Sequence, residues 1–166
     1  TAASSAIGIG GLYRGHSDNS PATALEAGPD NDGYIGTGNS GFSIERRTHT
    51  LSNGEIIWDF SGNIWERTSD TIMGPNKPTA SSSQLTDITG YGTLSYDLTR
   101  PSNPLWNSTQ NMGQYFVGSL TGGPYSFTRG GSFFNTTIAG VFTLSVFDTV
   151  SLQIYPNAVG FRCVVR

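Results

Sequence analysis

Lysine is almost missing from this chain. Lys77 stands alone among 166 residues, and all charged residues together make up 13%. Neutralising nucleic-acid phosphates takes clustered lysine and arginine. With a formal net charge of -3, the composition argues against a nucleic-acid binder. The basic cluster "ERR" at 45–47 is too small for that role. Cysteine is as scarce. One residue, Cys163, leaves no intrachain disulfide and no multi-cysteine metal site. Stability has to come from packing, polar networks or an oxygen-ligated ion. No apolar run reaches bilayer length, which argues against membrane insertion. The chain opens on Thr1 without a charged-then-apolar leader and reads as a fragment or processed product.

Turn formers are plentiful. The 22 glycines, with abundant Ser, Thr and Asn, point to loops and short strands rather than long helices. The length suits one domain, 1–166, with residues 1–10 as a small-residue lead-in. "NSPATALEAG" carries the strongest helix signals: Ser20 as cap, Pro21 at the first turn, Gly28 at the exit. "THTLSNGEIIWDF" predicts two strands joined by a turn at Asn53-Gly54. "YSFTRGGSF", "AGVFTLSVF" and "AVGFRCVVR" are further strand candidates. So is "TVSLQIY", residues 149–155, where Val150, Leu152 and Ile154 alternate with polar neighbours. The expected class is α+β: a small twisted antiparallel sheet, two short helices and long loops.

Few residues form a catalytic pattern. "DNDG" at 30–33 fails as a calcium loop, because Gly28 and Asn39 would fall at its first and last ligand positions. His16 and His49 have no nucleophile at a recognisable spacing, and no G-x-S-x-G elbow is present. Cys163 reads as a small buried hydrophobe. In "WDFSGNIWE", Asp59 and Glu66 flank a glycine turn. They read either as carboxylates for one ion or as acids beside two core tryptophans.

Three motifs occur together in order: "GNIWERTSD" (62–70), "RGGSF" (129–133) and "GFRCVVR" (160–166). They resemble the formylglycine-generating-enzyme-type branch of the C-type lectin fold, over residues 10–166. Catalytic members of that branch use a copper-binding cysteine pair that this chain lacks. The segment 129–163 is instead similar to the variable region of diversity-generating-retroelement variable proteins. Arg129, Gly130, Gly131, Ser132, Ala139, Gly140, Val141, Phe142, Leu144, Gly160, Phe161, Arg162 and Cys163 match the framework. Phe133 and Val146 depart from it conservatively.

The resemblance implies a non-catalytic ligand-binding protein. Its variable positions would be Phe134, Ile138, Ser145, Phe147, Asp148, Val150, Leu152, Ile154 and Tyr155, all reachable from Asn codons by adenine-directed mutation. Phe142, Leu144 and Phe161 would instead be core. No cofactor is required for binding. The same likeness suggests a structural calcium held by Asp59, Glu66 and the carbonyls of Gly62 and Ile64. The implied partner is a surface protein or glycan of a target cell, and the implied location a virion tail or cell surface. A fixed-specificity carbohydrate-binding lectin, a formylglycine-generating-type oxidase and a purely structural tail component are the alternatives.

Overall fold

The structure is a computed structural model that describes residues 6–7, 11–25, 45–73, 86–87, 105–117, 122–147 and 157–162. It is a strand-dominated α+β arrangement with almost no helix. A two-stranded ribbon pairs β1 (Ala6–Ile7) with β2 (Gly11–Leu12). A hairpin pairs β3 (Thr48–Thr50) with β4 (Ile56–Trp58). The main sheet holds β5 (Trp65–Ile72), β6 (Thr86–Asp87), β7 (Gln114–Val117), β8 (Tyr125–Gly130), β9 (Gly140–Phe147) and β10 (Val159–Phe161). Its strand order is β10-β5-β8-β9-β7-β6. The pairs β10/β5 and β7/β9 are parallel, so the sheet is mixed rather than antiparallel. Among the described residues, no helix is long and apolar enough to cross a membrane.

The β3–β4 hairpin follows its turn chemistry. Gly54 N–H donates to the Leu51 carbonyl at 3.0 Å and Leu51 N–H to that of Glu55 at 2.7 Å, with Gly54 at φ +87°. This is a three-residue loop ending in a glycine bulge, which brings the strands back into register.

In β8 and β9 the period-2 pattern puts Phe127 opposite Val146, and Leu144 beside Tyr115 of β7. These four bury together with Ile72, and Tyr125 packs against them. Each such side chain contributes roughly 1.5–3 kcal/mol by leaving water. A smaller cluster of Leu12 and Met112, with Trp106, Val141 and Phe142 against it, ties β2 to β9.

The segment expected to be helical is not. Residues 20–23 run as bends, with a cis Ser20–Pro21 peptide, and 24–25 as irregular chain. The backbone groups of Leu25 are claimed from outside: Asn63 Oδ1 accepts from Leu25 N–H at 2.7 Å, and Asn63 Nδ2 donates to the Leu25 carbonyl at 2.9 Å. That pairing replaces the i→i−4 bonds a helix would make. Residues 26–28 of the proposed helix, the "DNDG" loop, the "TVSLQIY" stretch and Cys163 lie outside the described residues. The described residues hold two 3₁₀ turns, Ser108–Gln110 and Thr136–Ile138, in place of two short helices.

Candidate functional site

The turn that leaves β8 is fixed from several directions. Gly131 has φ +82°, and a Cβ there would lie 2.7 Å from Ala139 Cα, so only glycine closes this turn. Asn135 Oδ1 accepts from both the N–H and the hydroxyl of Ser132 at 2.7 Å. Two neighbouring loops then grip the turn. Gly62 N–H donates to the Gly130 carbonyl (3.0 Å) and Phe133 N–H to that of Asn63 (2.9 Å). Asn19 N–H donates to the Phe133 carbonyl (2.7 Å), and Thr136 N–H to that of Ser17 (2.7 Å). The His16 ring stacks on Phe133 at 6.1 Å, and Phe133 meets Phe134 edge-on at 5.1 Å. Phe134 therefore stands on a braced base yet keeps 37% of its surface in water.

Thr136 carries φ +47°, a left-handed conformation that a β-branched residue adopts only under constraint. Its bond to Ser17 supplies that constraint. Thr136 and Thr137 are exposed, and Ile138 is half-buried. The displayed part of the described turn is thus Phe134 with the two threonines, and Ile138 at its margin.

Ser145 does not belong to that surface. It lies in the middle of β9, paired with Thr128 of β8 and Phe116 of β7, and is fully buried. Phe147 closes β9 opposite Ser126. Asp148, Val150, Leu152, Ile154 and Tyr155 lie outside the described residues. Phe161, expected in the core, is 76% exposed, because β10 is an edge strand. Leu144 is buried as expected, and Phe142 half-buried.

The expected calcium donors do not fit an ion. Asp59 receives Arg47 in bidentate fashion, Nε to Oδ1 at 2.6 Å and Nη2 to Oδ2 at 2.5 Å, and Asn63 Nδ2 at 3.1 Å. Glu66 Oε1 accepts from Arg162 Nε (2.9 Å) and Nη2 (2.6 Å). Arg162 Nη2 also reaches the carbonyls of Trp58 (2.8 Å) and Asp59 (3.0 Å). Calcium asks for six to eight oxygens, carboxylates among them. Here both carboxylates are neutralised by guanidinium, Asp59 by Arg47 and Glu66 by Arg162, and the carbonyls that Arg162 bonds are those of Trp58 and Asp59, not the expected Gly62 and Ile64. No group of three or more metal-ligating side chains converges among the described residues.

The "ERR" cluster set aside on composition turns out to organise this region. Glu45 pairs with Arg14 at 2.6 Å, Arg46 lies over the Tyr13 ring at 5.4 Å, and Arg47 is wholly buried against Asp59 and Trp58. Their one visible trace was that a chain so poor in charge places three charged residues in a row. His49 is also buried. Burial, with Arg46 and then Arg162 nearby, lowers its pKa from 6.5 to about 4. Burial lowers the pKa of Arg129 as well, with Asp70 opposing.

Compared with protein-family models, with curated proteins and with solved structures, the chain matches none.

Proposed function

We propose that this chain is a non-catalytic ligand-binding protein of the C-type lectin fold, the variable protein of a diversity-generating retroelement. One observation carries the reading: residues 130–139 divide sharply into fixed and displayed positions. Gly130, Gly131, Ser132 and Ala139, which match the resembled framework, are buried and hydrogen-bonded or tightly packed. Phe134, which departs from it, faces water on a braced turn. A side chain in that position changes at little cost to stability, whereas one in the framework does not. Rigid aromatic anchors are also what binding surfaces use for affinity.

Phe134 and Ile138 belong to the recognition surface in this reading, with Phe147, Asp148, Val150, Leu152, Ile154 and Tyr155 assigned to it by the resemblance alone. Ser145 is removed from it. The partner is a surface protein or glycan of a target cell, met from a virion tail or a cell surface. The test lies in the neighbouring DNA. A near-copy of the codons for 129–163, differing only at adenines and adjoining a reverse-transcriptase gene, is the expected finding. A complete genome without such a repeat overturns the proposal.

A further inference from the structure

A second cluster, on the β3–β4 side, has unmet chemistry. His49 is 5% exposed, and its Nε2 is buried without a hydrogen-bond partner. Buried polar atoms in native proteins are nearly always paired, so an orphan calls for an explanation. The ring lies between two other rings, Tyr13 at 6.4 Å (72°) and Phe60 at 6.0 Å (66°). Phe60 keeps 45% of its surface in water.

The guanidinium of Arg46 stands over the same Tyr13 ring and donates through Nε to Thr48 Oγ1 at 2.9 Å. No carboxylate pairs with Arg46 among the described residues, unlike Arg14, Arg47 and Arg162, which each hold one. An uncompensated guanidinium, an exposed aromatic ring and an imidazole lacking a partner thus share one corner of the molecule. Burial first, and then the nearby Arg46 and Arg162, keep His49 neutral at neutral pH, so its ring has one N–H to give and one lone pair to fill.

We propose that Tyr13, Arg46, His49 and Phe60 form a second binding site, for a carboxylate borne on an apolar group, as at a polypeptide C-terminus ending in a hydrophobic residue. Arg46 supplies the charge-assisted hydrogen bonds. Phe60 and Tyr13 supply apolar walls, and a shift of the part-exposed Phe60 ring uncovers His49 Nε2–H to donate to a carboxylate oxygen. Local positive charge disfavours a cation here. The site is independent of the diversified surface and would give the protein a fixed contact beside a changing one.

The chain has two histidines, His16 and His49, so ring resonances read the site cleanly. N-acetyl-phenylalanine at neutral pH is expected to shift the His49 ring signals saturably and leave those of His16 in place. Its carboxamide, which lacks the charge, is expected to bind at least about tenfold more weakly. Phe60→Ala, at a side chain that keeps 45% of its surface in water, is expected to weaken binding by about tenfold. Arg46→Gln is expected to abolish it. Equal binding of the acid and the amide overturns the proposal, as does an unmoved His49. Acetate binding as well as N-acetyl-phenylalanine also overturns it, because the apolar walls would then be idle.

Discussion

Two interiors hold this protein together, and they are built on opposite principles. Under the main sheet, Ile72, Tyr115, Phe127, Leu144 and Val146 pack by shape. Beneath the loops that brace the turn after β8, Arg14, His16, Arg47, Asp59 and Asn63 are buried polar groups. The apolar interior is graded: it loses stability in proportion to volume removed. The polar interior is nearer to all-or-none, since each member leaves another uncompensated when it goes. Directional bonds of the second kind hold a loop's position where few apolar residues are present to do so.

The contrast can be broken by substitution. The largest effect is expected for Asp59→Ala, which strands the buried Arg47 guanidinium. A loss of about 3–5 kcal/mol should appear in urea unfolding, together with loss of the braced turn's amide-exchange protection. Leu144→Ala in the sheet should cost about 2–5 kcal/mol, while Leu144→Met should cost less than about 1.5. If Leu144→Met were as damaging as Asp59→Ala, the two interiors would not differ in kind.

His49 offers a third probe. Its folded pKa of about 4 lies below the ordinary 6.5, so the folded state resists protonation more than the unfolded one. Stability from this source is full above pH 6.5 and declines as pH falls to about 4. The loss is on the order of 3 kcal/mol. Chemical unfolding between about pH 7 and pH 4 should show that slope, and His49→Gln should flatten it. The smallest effect sharpens the picture at the turn after β8. Thr136→Gly should stabilise by about 1 kcal/mol through relief of the left-handed strain, visible as a higher melting temperature.

How much of this could be read from residues alone follows the range of the interactions. The strands β8 and β9 and the β3–β4 hairpin were legible, because alternation and an Asn-Gly turn are local signals. The irregular course of residues 20–25 was not: Ser20 and Pro21 are sound helix starters, yet Asn63, 38 residues away from Leu25, takes the backbone bonds. Asp59 and Glu66 looked like ion ligands for the same reason. Their true partners, Arg47 and Arg162, sit 12 and 96 residues away. Phe161 and Ser145 were misjudged in opposite directions, as an edge position and a central one cannot be told apart by period. The exposure of Phe134 agrees with the resembled framework, which sets glycines at 130 and 131 where the chain has to turn.

The most direct measurement is deep sequencing of codons 129–163 across a natural population of the source. Substitutions are expected only at codons whose counterpart in the template repeat carries adenine. They should be frequent at Phe134 and Ile138 and absent at Gly130, Gly131, Ser132, Leu144 and the buried Ser145. Substitutions spread evenly over framework and displayed positions, or variation at Ser145 as frequent as at Phe134, would contradict the reading.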